Sequence, residues 1–284
     1  MKTAAIISKP SKPELYKLAP ELVAWLRAHD YKPYLDEETA VYAPEYEVVR
    51  RECIAEKNPD FVIVLGGDGT LLSAARAVSA KGIPIIAVNL GSLGFLTEVP
   101  LSEMYDTLEA VERKACPMEI RGMLHCELVR GGRVIAQYDA LNDAVVNKSA
   151  IARLVDFDLY IDNLFVSNYK ADGVIISTPT GSTAYSMAAG GPILMPSVDA
   201  FVIAPVCPHS LSHRPLVVKD TTTIEILARK VERDAFLSID GQVGLPVLDE
   251  DKVVCSKSKH HVKLLRLRKT FFEVLRTKLK WGQR

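Results

Sequence analysis

The sequence predicts an N-terminal α/β domain built on a doubly wound parallel sheet, then a β-rich, sandwich-like domain, with the chain end returning to the first. Three observations carry this prediction. From residue 3 to about 115, all-apolar runs alternate with segments of helical periodicity, as parallel strands covered on both faces require. Beyond Cys116-Pro117 the apolar period changes to two. The final stretch is helical again. The expected division is therefore 1–117 plus about 255–284 for the α/β domain and 118–254 for the β-rich one. The chain of 284 residues, 48% of them apolar, is near the size at which one core gives way to two.

Each element has its own signal. Ala4 to Ile7 is a short apolar strand, and Leu15, Leu18, Leu22, Trp25 and Leu26 follow at helical spacing, with Pro13 suited to a helix first turn. Residues 45–57 are expected to be helical, Phe61 to Leu65 a fully buried strand, and Thr70 to Ala80 a helix. Ile83 to Val88 reads as another buried strand and Leu101 to Val111 as another helix. In the second domain Leu124, Cys126 and Leu128 alternate with polar residues, and Gly131-Gly132 makes a hairpin turn before Val134 to Tyr138. Val155, Phe157, Leu159 and Ile161 alternate likewise, and Asp162-Asn163 and Asp240-Gly241 are further turns. Phe272, Leu275 and Leu279 share one face of a last helix, whose basic residues read as a solvated face rather than a nucleic-acid arm.

Composition narrows the function classes. With 35 Lys+Arg against 35 Asp+Glu, no global field draws the chain to nucleic acid or an anionic membrane. No apolar run approaches the roughly 20 residues of a membrane span, so no membrane partner is expected. Cys53, Cys116, Cys126, Cys207 and Cys255 are widely spaced without a C-x-x-C pair, which reads as reduced thiols in a cytoplasmic protein. His209 and His213 are four apart but lie between Pro208 and Pro215 with no H-E-x-x-H pattern, so they read as loop or packing residues and no metal ligands are assigned. Met187 and Met195 are weighed first as packing side chains.

Two segments carry chemistry. Gly66-Gly67-Asp68-Gly69-Thr70 joins a buried strand to a helix, where open α/β sheets bind ligands. Its glycines let backbone N–H groups approach phosphate, yet it is neither a Walker A loop nor a dinucleotide fingerprint. Asp68 would repel a phosphate unless it accepts a hydroxyl proton or faces a metal, which points to phosphoryl transfer to an alcohol. The alternative is an ordinary tight turn with Asp68 as helix N-cap. The second segment, 171–192, is a strand followed by Thr178, Thr180, Ser182, Thr183 and Ser186, with Tyr185 able to lie against a ring. Asn142-Asp143 offers an amide to a base edge and a carboxylate to a ribose diol, though it is also a common turn pair.

Gly66 to Thr70, Leu141-Asn142-Asp143, Asp172-Gly173 through Gly190-Gly191-Pro192, and Asp240-Gly241-Gln242 together resemble the NAD kinase family. The stretch from Pro205 to Leu216 is similar to that family as well. The first motif is shared with lipid kinases and phosphofructokinases, whereas 171–192 is more specific. The resemblance implies transfer of phosphate to the 2′-hydroxyl of the adenosine ribose of NAD, giving NADP, with ATP and a divalent cation, Mg²⁺ by preference. It makes Asp68 the proton acceptor, with Gly66, Gly67, Gly69 and Thr70 beside the donor phosphates. It assigns NAD binding to Asp68, Gly69, Asn142, Asp143, Asp172, Thr183, Ala184, Tyr185, Ser186, Met187 and Ala188, and further to Arg153, Lys170 and Gln242. The family usually has Glu after the Asn, so Asp143 here is one methylene shorter. A dimer or tetramer is also implied. The competing readings are a lipid or sugar kinase with the same turn and a non-enzymatic NAD(P) sensor.

Overall fold

A computed structural model describes residues 2–91, 93–148, 155–229, 231, 235–267 and 270–280. The chain divides into two compact units, Met1–Ile120 with His261–Arg284, and Arg121–His260. The first opens with β1 (Lys2–Ser8), α1 (Leu15–Ala28), β2 (Tyr31–Leu35), α2 (Glu37–Ala40) and β3 (Phe61–Gly66). It continues with α3 (Asp68–Val78), β4 (Ile85–Asn89), β5 (Val99–Pro100) and α4 (Met104–Glu112). These strands are parallel, in the order β5-β4-β3-β1-β2. Every residue of β3 is buried, as a central strand between two helical layers must be. Leu15, Leu22 and Leu26 of α1 and Met104 and Leu108 of α4 share a core with Ala4, Ile6, Ile63 and Val88, while α3 packs on β3 and β1.

One expected helix is present only in its second half. Glu47 to Val49 run beside β2, where Leu35 N–H donates to Glu47 O at 3.0 Å and Val49 N–H to Leu35 O at 2.8 Å, and Arg51–Lys57 forms a 3₁₀ helix. Edge pairing of the backbone outcompeted local helix propensity. β2 itself carries no apolar run because Lys32 and Pro33 interrupt it, and an edge strand tolerates such a proline.

The second unit takes most of its strands from β6 (Met118–Arg130), β7 (Arg133–Ala140), β8 (Asp143–Lys148), β9 (Val155–Ile161), β10 (Leu164–Ala171) and β11 (Gly173–Ser177). After the short α5 (Tyr185–Ala188) come β12 (Ala200–Val206), β13 (Leu216–Lys219), β14 (Ile224–Arg229), β15 (Ala235–Ile239), β16 (Val243–Val247) and β17 (Lys252–Leu265). One antiparallel layer runs β13-β12-β11-β8-β15-β16, and the facing layer contains β10-β9-β14-β17. Val146, Ile176, Ile203 and Leu237 of the first meet Phe157, Leu159, Ile226 and Val253 of the second in one core, the arrangement of a β-sandwich. The turn signals fall where expected. Asp162-Asn163 and Asp240-Gly241 have φ of 48° and 65° and of 51° and 65°, the paired positive values a two-residue hairpin turn needs.

β17 ends in the first unit, where Leu264 pairs in parallel with Ile85. α6 (Phe271–Leu279) follows, started by a capping box between Thr270 and Glu273. Its buried residues are Val274 and Leu275, whereas Phe272 is exposed, so the inward face is rotated from the expected Phe272-Leu275-Leu279 stripe. Among the described residues no helix is long and apolar enough to cross a membrane.

Candidate active site

β3 delivers Gly66 and Gly67 to the carboxyl end of the parallel sheet, and α3 starts at once. Gly67 is the N-cap, in extended conformation, and no side chain caps the helix, so the capping role weighed for Asp68 does not hold. Its carboxylate turns instead to the loop after β4. Oδ1 accepts from Leu96 N–H at 3.2 Å, Thr97 N–H at 2.9 Å and Thr97 Oγ1 at 2.9 Å, and Oδ2 accepts from Phe95 N–H at 2.9 Å. Four donors fix its orientation. Three fall on one oxygen, which leaves Oδ2 with room for another hydrogen bond.

The loop is itself anchored. Asn89, the last residue of β4, donates from Nδ2 to Thr97 O at 3.2 Å and accepts at Oδ1 from Gly91 N–H at 2.6 Å. A Cβ on Gly94 would lie 2.0 Å from Asp68 Oδ1, so this approach requires glycine. Asn89, Gly94, Phe95 and Thr97 were missed at the sequence level. Their signal was a second buried strand ending in Asn with glycines at 91 and 94, the same strand-end logic that singled out Asp68. Within the first loop, Thr70 is 9% exposed, its side chain lies under Gly66, and its N–H bonds to Gly67 O at 3.0 Å. Thr70 therefore shapes the turn, while Gly67 has nothing within 4 Å of where a Cβ would stand and leaves an open approach.

In the second unit the Asp240 carboxylate accepts three backbone amides, from Leu141 at 3.0 Å, Asn142 at 2.7 Å and Asp143 at 3.1 Å. Thr178 ties the other side, donating from Oγ1 to Leu141 O at 2.6 Å and from N–H to Asn142 O at 2.9 Å. Gly181 packs so closely that a Cβ would stand 2.1 Å from Asn142 O. This lacing holds the Asn142 side chain, which makes no hydrogen bond among the described residues, beside the start of β8. Asp143 is 5% exposed. Burial, and next the charge of Asp240, push its carboxyl up to about 7. Asp240, read from the sequence as a turn residue and as part of the family resemblance, proves to be the organiser of this corner.

Thr183 and Ser186 are buried, and the Tyr185 ring is 44% exposed at the start of α5. Ala184 and Met187 are partly buried and Ala188 is exposed, so the 183–188 turn presents a mixed face of ring, methyl and hydroxyl groups. Asp172 stands apart. It precedes β11 and pairs with Lys148 at 3.0 Å, at the opposite end of β8 from Asp143, which faces Ser177. Five residue steps separate the two ends, about 16 Å at ~3.3 Å per residue. Lys170 is exposed on β10, Gln242 is exposed just after the Asp240-Gly241 turn, and Arg153 lies outside the described residues. His213 packs edge-on against Tyr169, ring centroids 4.7 Å apart, consistent with a packing role.

An α/β unit with a glycine-lined carboxylate at a strand end, joined to a β-sandwich with a hydroxyl-rich turn, defines a two-domain kinase. Residues 4–115 match the ATP-NAD kinase N-terminal domain and 141–267 the ATP-NAD kinase C-terminal domain. The chain is 62% identical over 284 residues to the NAD kinase of Koribacter versatilis, covering 100% of both chains. It is 52% identical to that of Acidobacterium capsulatum, again covering 100% of both. Among solved structures, yeast NADH kinase complexed with NADH superposes with a TM-score of 0.92 at 25% identity, covering 100% of this chain and 89% of that one. The NAD kinase from Archaeoglobus fulgidus in complex with ATP superposes at 0.77 and 25% identity, covering 97% and 99%. The chain belongs to the NAD kinase family and is an enzyme.

Proposed function

We propose that this enzyme transfers the γ-phosphoryl group of ATP to the 2′-hydroxyl of the adenosine ribose of NAD, with Asp68 as the proton acceptor. The observation that carries the assignment is the uneven hydrogen bonding of Asp68, three donors on Oδ1 and one on Oδ2. A ribose hydroxyl is a poor acid, so the useful base is one held in line with it that takes the proton as the bond to phosphorus forms. The loop after β4 holds the Asp68 carboxylate in one orientation, which supports this role. The open face at Gly67 suits approach of the donor phosphates. Among the described residues no group of three His, Cys, Asp or Glu is arranged as a metal site. A divalent cation, Mg²⁺ by its preference for phosphate oxygens, would be carried on ATP itself, where it would neutralise charge on the phosphates.

In this reading Asn142 recognises the adenine edge, Asp143 the ribose diol, and Tyr185 packs against a ring of NAD. The relatives and solved neighbours named for NAD, NADH and ATP support these substrate classes. The reduced-thiol, cytoplasmic setting belongs to the same reading, and so does self-association through β10. This strand ends its layer and exposes Leu164, Phe165 and Val166, 72%, 60% and 42% respectively, an uncovered edge suited to a second copy.

The test is NADP formation from NAD, ATP and Mg²⁺ with Asp68→Asn beside the native enzyme. Turnover should fall by about 10²-fold or more, the usual scale of acid–base assistance, while calorimetric NAD affinity is retained. Native-like turnover in the variant removes Asp68 from the role. Replacing ATP by polyphosphate and NAD by NADH in the same assay defines the donor and acceptor range.

A further inference from the structure

Thr97, which supplies two of the four donors to Asp68, is followed directly by Glu98, and Glu98 is a buried carboxylate with 5% of its side chain exposed. Its partner is Arg266, whose guanidinium donates to Glu98 through one terminal nitrogen and pairs with Glu119 through the other. The Arg266 side chain is 15% exposed, and its backbone N–H bonds to Pro117 O at 3.3 Å. Arg266 stands one residue beyond β17, whose Leu264 is registered on Ile85 at the start of β4. The guanidinium thus comes from a strand alongside β4, while the loop it reaches leaves the far end of β4 through Asn89.

We propose that Arg266 is a positioning residue for phosphoryl transfer: by clasping Glu98 it fixes the Phe95–Thr97 backbone, and that backbone orients the Asp68 carboxylate. The inference rests on Asp68 being the proton acceptor. It extends that reading to a side chain from the far end of the sequence that meets neither Asp68 nor any residue assigned to a substrate. The last two residues of the donor loop are then each tied, Thr97 O by Asn89 Nδ2 and Glu98 by Arg266. A buried glutamate without its cation draws water or shifts its backbone, because an unpaired charge in a dry site is strongly unfavourable. The nearest backbone to yield is Thr97. A displacement of 1 Å at a catalytic group is enough to slow chemistry severely.

The test compares steady-state kinetics of Arg266→Lys and Glu98→Gln with Asp68→Asn and the native enzyme, each checked for folding by circular dichroism and thermal melting. Lysine keeps the charge but loses the fork that grips two carboxylates, and glutamine keeps the shape of Glu98 without its charge. The expected result is a fall in kcat of at least fivefold in each folded variant with KM for NAD and ATP within twofold. The Arg266→Lys/Glu98→Gln double variant should be no worse than the poorer of those two singles, since both act through one contact. A purely structural role lowers the melting temperature while leaving kcat in the folded range within twofold, and that outcome overturns the proposal. If Arg266→Lys does not fold, Glu98→Gln decides alone. If Asp68→Asn is inactive while the clasp variants keep native kcat, only the clasp fails. If Asp68→Asn turns over normally, the base assignment and the clasp fall together.

Discussion

A methyl group on Gly94 would occupy the position of Asp68 Oδ1, from which it would lie 2.0 Å away. Gly94→Ala should therefore leave both cores intact and push the carboxylate off its donors. The expected loss in kcat is about 10²-fold, the scale of a 1 Å displacement at a reacting group, with an unchanged circular dichroism spectrum as control. Asp143 supports a prediction in pH. Its folded-state pKa of about 7 lies above the ordinary aspartate value near 3.9. Between those values the folded state holds more protons than the unfolded one, so this residue's contribution to stability falls as pH rises from about 4 to about 7 and is level above that. The effect is a few kcal/mol at most, at about 1.4 kcal/mol per unit. Scanning calorimetry of Asp143→Asn across that window should show a flatter dependence than the native enzyme, and parallel curves would show that Asp143 does not carry it. Binding of a ribose diol to the ionised carboxylate would favour deprotonation, so NAD affinity should also rise through pH 7 in the native protein and not in the variant.

At the scale of elements, the strand ends do the organising. β3 and β4 are adjacent parallel strands, with Gly66 registered on Asn89, so the loops that leave them emerge side by side and a carboxylate on one meets the donors of the other. In the second unit, β8 and β15 are paired with Ile239 opposite Ala144, which brings the Asp240 turn against the Asn142 corner. The β10 edge carries a different consequence. Phe165 faces Tyr160 and Ser167 faces Leu159, so Val166 is an extra residue in a bulge, and three consecutive apolar side chains reach solvent where a regular strand would turn alternate ones inward. If a second copy covers this edge, Phe165→Lys should shift the native species to a smaller one in size exclusion with light scattering. An unchanged mass would place self-association elsewhere or show the chain to be monomeric.

Across the whole molecule, the pattern of apolar residues was sufficient for the class of each part. All-apolar strands separated by helical segments, then strict alternation with Gly and Asp-Asn turns, foretold a parallel α/β unit and a sandwich because burial on two faces or on one dictates those periods locally. The Asp68 loop and the Asn142 corner were legible for the same reason: their glycines and polar residues sit directly at strand ends. The first half of the segment 45–57 was misjudged because its backbone pairs with β2, a strand that Lys32 and Pro33 disguise, while Arg51–Lys57 coils as expected, though as a 3₁₀ helix. Phe95, Thr97, Glu98 and Arg266 were not visible as a set. They are brought together by the registry of β3, β4, β5 and β17, and hydrogen bonds from main-chain amides leave no mark on residue type. The sequence by itself determined the family, the two architectures and the strand-end loop that carries the Asp68 carboxylate. Only the tertiary structure decided what aims that carboxylate, because orientation comes from contacts between segments as much as 168 residues apart, as Glu98 and Arg266 are, and local propensity carries no information about such pairs.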